Sequence, residues 1–371
     1  MAVKVIYVLD FLSYGGVERL SYDYLRNLNS ERFEVKLLIL KGGAFKEEFE
    51  QLPVPLTEIS DEHDGVLKQL LRIRKFLKRE NPDIIHTHNI KGSSYMTLIT
   101  IGMKVKLIRS FHHFGTLDRL HNKANILTMN RAKANLFVSE SFKVDLRKKY
   151  GLKKMPRNHI VYNGVDFNRF DGAASGQLRE EIGAGENDLV IGMIGNFVRM
   201  KDQLSLCKAF RNAQELFPHL QLVFVGTHDG VNLHFLNDCV EFCAQSKISK
   251  RVHFLGSRDD IPQILNDLDL FVFSSLGDTF GIALVEAMGM GVPTIATDLG
   301  PIKEITHDGS YSAIFKQKDV DDLSAKMIDL IGNDKKRNDL ALRAEAFVRS
   351  SYDIQSHIDR TLSVYEQVLD L

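Results

Sequence analysis

The chain has 371 residues, 44% of them hydrophobic and 26% charged, and its 48 basic and 48 acidic side chains cancel. This balance excludes a disordered, collagenous or disulfide-framework chain, and at about 100–200 residues per domain the length predicts two domains. Of the three cysteines, Cys239 and Cys243 sit one helical turn apart, which reads as buried free thiols in a reducing compartment and not as a disulfide or a zinc knuckle. No run of about 18 apolar residues occurs and the N-terminus lacks a signal-peptide pattern, so the expected location is the cytoplasm. The neutral total hides a polarised chain. Residues 1–160 carry 28 basic and 17 acidic side chains, a net of +11, whereas residues 161–371 carry 20 and 31, a net of −11.

Taken in chain order, Val3–Leu9 reads as a strand, Tyr14-Gly15-Gly16 as a turn and Val17–Leu28 as a helix, the opening half of a βαβ unit. A strand at Phe33–Leu40 follows, then a helix over Gly65–Arg79 that Pro82 stops before the strand Asp83–His88. Further strands fit Val105–Phe111, Ala134–Ser139 and His159–Val161. The second half repeats the rhythm with strands at Leu189–Ile194, Leu220–Val225, Val252–Leu255, Leu268–Phe273, Pro293–Ala296 and Ala313–Phe315, and three helices close the chain from about Asp319. Strands alternating with helices predict an α/β architecture of two Rossmann-like, doubly wound parallel sheets. Between them, Asn163–Asp166 and the small-residue stretch Asp171–Gly176 read as the linker, and a cleft between the halves is the expected ligand site.

Four segments carry candidate chemistry. The turn Tyr14-Gly15-Gly16-Val17-Glu18 leads from a strand into a helix, where free amides and the helix dipole favour an anion; the alternative is a tight turn that needs positive φ. Gly195–Asp202 ends a strand and opens a helix, so Arg199 and Lys201 are placed either to grip a pyrophosphate or simply to be solvated. In Ser274–Met288 a strand ends, a Gly/Asp/Thr loop follows, and a helix from about Gly281 carries Glu286 on an apolar face. That carboxylate calls for a ligand hydroxyl or a fixed hydrogen bond, while Asp278 is either a ligand or a helix N-cap. His86 and His88 alternate onto one strand face, and with His112 and His113 they raise a metal-site reading, set against ordinary loop histidines.

The Asp278-to-Glu286 segment resembles the acidic–seven residues–acidic motif of the family 4 retaining glycosyltransferases, with Phe280-Gly281 at the family's aromatic-glycine step. Gly15-Gly16-Val17-Glu18, Asn163–Asp166, Phe254-Leu255-Gly256 and Gly291–Ala296 match further family motifs in the same order. The resemblance implies the GT-B fold and a nucleotide-sugar donor. It implies that Gly15 and Gly16 meet the donor phosphate through the Gly16 amide, and that Lys201 neutralises the pyrophosphate. It further implies that Glu286 holds the ribose, and that Asp278 and the backbone of Phe280, Gly281 and Ile282 hold the sugar. His112 matches a histidine beside the donor sugar, with neighbouring His113 as the alternative. Two departures stand out: Asp278 replaces the usual Glu, and Asn196 stands where the family has Arg, a role Arg199 is positioned to take.

The expected domains are 1–166 for the acceptor and 167–353 for the nucleotide sugar, with a C-terminal helix at about 354–371 packing back on the first. The expected reaction is retaining transfer of a hexosyl or N-acetylhexosaminyl unit to a glycan or lipid-linked acceptor in bacterial surface polysaccharide or glycolipid synthesis, with neither metal nor other cofactor. A nucleotide-sugar epimerase, a phosphorylase, a metal-dependent hydrolase and a non-catalytic nucleotide-sugar-binding protein are the alternatives. The basic amphipathic stretch Lys68–Arg79 and the cations within 143–157 suit an anionic membrane surface, hence peripheral attachment to the inner face of the cytoplasmic membrane, or a solvated helix face. Nucleic acid is not expected, since there is no Trp and no recognisable binding module.

Overall fold

The computed structural model describes residues 2–59, 65–113, 119–228 and 230–370. The chain forms two compact units, one of Met1–Gly164 with Ile354–Leu371 and the other of Val165–Asp353.

The first unit is built on seven parallel strands: β1 (Val3–Phe11), β2 (Phe33–Lys41), β3 (Leu56–Glu58), β4 (Ile84–Thr87), β5 (Lys106–Phe111), β6 (Ala134–Phe137) and β7 (Asn158–Ile160). Their order is β3-β2-β1-β4-β5-β6-β7. The winding reverses between β1 and β4, and in such sheets ligands bind beyond the carboxyl ends at that point. The inner strands are near-continuous apolar runs because both sheet faces are covered. Val5, Tyr7 and Leu9 pack with Leu20 and Tyr24 of helix Gly16–Asn27 and with Ile358 and Tyr365 of helix Ile354–Leu369. Alternate residues Ile6 and Val8 pack with Ile73 and Leu77 of helix Val66–Glu80 and Met96 of helix Ile90–Ile99. The edge strand β3, Leu-Thr-Glu, has no counterpart in the sequence reading; three residues of mixed polarity carry no usable periodicity.

The second unit has six parallel strands: β8 (Leu189–Ile194), β9 (Leu220–Val225), β10 (Val252–Phe254), β11 (Leu270–Phe273), β12 (Thr294–Thr297) and β13 (Ala313–Phe315). The order is β10-β9-β8-β11-β12-β13, reversing between β8 and β11. Cys207, Cys239 and Cys243 are free thiols within its apolar core. The stretch Asp171–Gly176 differs from its expected role as a linker, because it lies inside this unit and the Gly176 amide donates to Asp267. The chain leaves the unit at two neighbouring points: the Val165 amide donates to the Tyr352 carbonyl at 2.8 Å, and Val165 pairs with Asp353 in a parallel bridge.

Among the described residues no helix is long and apolar enough to cross a membrane.

Candidate functional site

In the second unit, the loops after β8 and β11 are joined to each other. The Asp202 amide donates to the Ser274 carbonyl at 2.7 Å, the Leu276 amide to the Met200 carbonyl at 2.8 Å, and Lys201 bridges Ser275 in antiparallel fashion. This stapling aims Lys201 Nζ at Asp278 Oδ2, 2.8 Å away, and seats it 4.4 Å from the centre of the Phe273 ring. Hydrogen bonds between oppositely charged groups at this distance are short and strong. Burial pushes the Asp278 pKa up, but Lys201 and the Phe280 and Thr279 amides more than reverse this and hold the carboxyl below the usual aspartate range.

Asp278 is not the helix N-cap. Its Oδ1 accepts from the amides of Thr279 at 2.8 Å and Phe280 at 3.2 Å, and the helix Ile282–Gly289 is capped by Gly281 at φ 92°, a left-handed conformation that suits glycine. The amides of Ile282 and Ala283 fall in the first turn, where a helix lacks internal acceptors and its dipole favours an anion. One turn further on, Glu286 Oε1 accepts from Arg169 at 2.8 Å. Arg169 ends the turn Phe167–Arg169, whose Phe167 packs so closely on Gly289 that a Cβ there would meet its ring at 2.0 Å. The partly buried carboxylate therefore has a protein partner, one that sequence reasoning missed because the two residues are far apart along the chain.

Asn196 and Arg199 are both exposed. Asn196 Oδ1 accepts the Thr227 amide at 3.0 Å, tying the loop after β8 to that after β9, while Arg199 makes no ion pair among the described residues. Gly226, at φ 149°, lies so close to the Gly195 carbonyl that a Cβ would come within 2.3 Å of it, and its amide donates to the Gly256 carbonyl at 2.8 Å. Glycines thus line the carboxyl ends of β8, β9 and β10 and leave bare backbone beside Lys201.

In the first unit, Gly15 is the N-cap of helix Gly16–Asn27 at φ −143°, and Gly16 is not among the residues of positive φ. This overturns the positive-φ reading of the diglycine; extended backbone at Gly15 is open to any residue. A side chain there would instead meet Glu18 Oε2 at 2.6 Å. Next to it, Asp10 accepts from the amides of Lys91 at 3.0 Å and Gly92 at 2.7 Å, and burial raises its pKa.

The histidines form a buried stack. His86 and His88 share a face, as strand alternation predicts, with ring centres 4.2 Å apart. His88 lies on Tyr7 at 4.0 Å and shares a hydrogen bond with His112, Nδ1 to Nε2, at 3.1 Å. His86 is bonded through both nitrogens, to Tyr365 Oη at 2.7 Å and Ser110 Oγ at 2.8 Å. His113 is exposed and His112 buried, so alternation separates the two candidates. Burial holds His112 down to about 3, which makes it a neutral hydrogen-bonding ring at physiological pH. No group of three or more His, Cys, Asp or Glu among the described residues is arranged to hold a metal ion. Arg109, also unforeseen from sequence, is buried against Asn125 and Thr128 without a carboxylate partner among the described residues, and burial lowers it to about 9.

Two family models match the chain: Glycosyltransferase Family 4 over residues 14–169 and Glycosyl transferases group 1 over residues 175–347. The chain belongs to the family 4 glycosyltransferases. It is thus a glycosyltransferase that draws on a nucleotide sugar. Among its relatives is the Escherichia coli UDP-Gal:alpha-D-GlcNAc-diphosphoundecaprenol alpha-1,3-galactosyltransferase, 24% identical over 98% of this chain and 96% of that protein. Another is the N-acetyl-alpha-D-glucosaminyl L-malate synthase of Bacillus anthracis, 23% identical over 80% of this chain and 78% of that one. Among solved structures, Anabaena HepE in complex with UDP and glucose superposes with a TM-score of 0.86 at 20% identity, covering 98% of this chain and all of that one. Sucrose-phosphate synthase from Thermosynechococcus elongatus gives 0.82 at 13% identity and 99% coverage of each. The expected fold class, two Rossmann-like parallel-sheet domains of the GT-B type, is the one these structures share.

Proposed function

We propose that the Val165–Asp353 unit binds the nucleotide diphosphate and the donor sugar, that the other unit presents a lipid-linked or glycan acceptor, and that transfer retains the anomeric configuration. The observation that carries this reading is the constellation at the carboxyl ends of β8 and β11, with Lys201 held between Asp278 and Phe273, and Glu286 held by Arg169 on the adjoining helix. Lys201, exposed Arg199 and the first amides of helix Ile282–Gly289 supply positive charge where a departing diphosphate gathers negative charge. Glu286 accepts from the ribose hydroxyls; Asp278 and the backbone of Phe280, Gly281 and Ile282 orient the sugar; Asn196 shapes the phosphate loop. From the first unit, the amides at Gly15 and Gly16 add to phosphate binding and His112, as a neutral ring, bonds a sugar hydroxyl near the anomeric carbon.

With no Ser-His-Asp or Cys-His arrangement in play among the described residues, the leaving diphosphate accepts the proton of the incoming hydroxyl on the same face, and the protein supplies orientation and charge. The scheme draws on no metal ion. The E. coli relative is named for UDP-galactose and a diphosphoundecaprenol-linked acceptor, which supports a uridine nucleotide, a hexosyl or N-acetylhexosaminyl unit and a place in bacterial surface polysaccharide synthesis.

The test is a thermal-shift panel of nucleotide sugars followed by turnover. A cognate donor at 100 times its Kd should raise the Tm by about 5–10 °C, and Lys201→Ala and Glu286→Ala should each abolish most of that shift. Product analysis then decides the chemistry. A modified sugar formed without acceptor would make the protein an epimerase, a requirement for free phosphate a phosphorylase, and binding with neither transfer nor donor hydrolysis a non-catalytic binder.

A further inference from the structure

The two helical layers of the first unit differ sharply in charge. Helices Gly16–Asn27 and Ile354–Leu369, on one face of the sheet, carry three basic and four acidic residues. On the other face, helices Val66–Glu80, Ile90–Ile99, Arg119–Arg131 and Glu140–Lys149 carry fourteen basic residues and three acidic ones, Glu80, Glu140 and Asp145, each of them ion-paired. The first three carry ten of the basic residues and only Glu80. The three helices are neighbours: Arg74 reaches from the first to the Ile99 carbonyl of the second, and Arg109 ties the third to β5.

The same face is oily. Leu67 and Leu71, one turn apart, are 72% and 60% exposed, Leu98 and Ile101 are 53% and 60% exposed, and Leu127 is 56% exposed. With Val66 they make six of the fourteen exposed large apolar side chains among the described residues, and the only others in this unit are Phe11 and Tyr14. Lys68, Arg72, Lys75, Lys78 and Arg79 border the leucines on the exposed side of their helix.

We propose that this face docks on an anionic phospholipid bilayer, leucines entering the interfacial region and the Lys and Arg heads meeting lipid phosphates. An exposed leucine pair costs solvation unless it is covered, and long cationic side chains place their stems among acyl chains while keeping their charge at the headgroups. Each basic residue close to an anionic surface adds attraction that decays within a Debye length. Nucleic acid matches the charge but not the leucines, and among the described residues no exposed aromatic ring lies on this face for base stacking. The inference is independent of the reaction.

The experiment is co-sedimentation of the full chain with vesicles of phosphatidylcholine alone or enriched in phosphatidylglycerol. Binding to the anionic vesicles only, weakened by salt, is expected. Leu67→Ser with Leu71→Ser should weaken it about tenfold, as should Lys75→Glu with Lys78→Glu, with Tm and turnover of a water-soluble acceptor unchanged in each. The control Arg26→Glu with Arg360→Glu, on the opposite helical layer, should bind as the wild type does. Equal binding to neutral vesicles, none to anionic ones, or loss in the control alone would overturn the proposal. So would concentration-dependent self-association, or RNA binding, that the leucine variants abolish while vesicle binding persists.

Discussion

Arg169 and Glu286 are separated by 117 positions and meet at 2.8 Å. Spacing along the chain made Glu286 conspicuous as a carboxylate on an apolar helix, but it could not reveal a partner brought in by the fold. Asp278 was legible as a loop carboxylate, while its grip on the Thr279 and Phe280 amides depends on a turn that propensities do not specify. A charged hydrogen bond of this kind contributes about 1.5–3 kcal/mol, and it also fixes the direction of the carboxylate. If Glu286 reads the ribose, Arg169→Gln should raise the Kd for UDP about tenfold and shrink the preference of the protein for UDP over its 2′-deoxy and 3′-deoxy counterparts. Isothermal titration of the three nucleotides checks this. An unchanged preference, with only a lower Tm, would reduce Arg169 to a brace for the turn.

At the scale of elements, β4 delivers His86 and, just past its end, His88 into a stack with Tyr7, His112 and Tyr365, close to His357 at the start of the last helix. Period-two alternation was enough to place the first two rings together; what surrounds them was not legible, because Tyr365 comes from the far end of the chain. Burial lowers the pKa of all four histidines, to about 3 for His112 and about 4 for His357. The unfolded chain therefore takes up protons below about pH 6.5 that the folded unit refuses. Stability is fully present above that value and falls as the pH drops toward the folded values, by about 1.4 kcal/mol per pH unit for each ring. Urea unfolding at about pH 7 and pH 5 should show the first unit destabilised by several kcal/mol, and His357→Gln should flatten the dependence. Superimposable curves would mean that the rings are protonated in place.

For the whole molecule, the alternation of strands and helices announced two parallel sheets, and the helix at about 354–371 was already expected to pack back on the first domain, with the boundary drawn at 166 where the compact units divide at Val165. Returning residues 354–371 to the first unit and starting the second at Val165 changes the division of charge from +11 and −11 to +9 and −9. The polarity survives the correction, and within the first unit it is concentrated on one helical layer. The split of the first unit also bears on its birth. During synthesis the second unit, an unbroken stretch, leaves the ribosome complete before the first, whose core lacks Ile358, Val364 and Tyr365 until the last 18 residues emerge. At about 5–20 residues per second, the N-terminal sheet waits with one face covered only in part, by helix Gly16–Asn27, while the later unit already has everything it requires. A chain released after Asp353 should accordingly give a protease-resistant fragment starting near Val165 and a readily digested N-terminal half; equal resistance of both halves would contradict this. The portion made first is the last that can be finished.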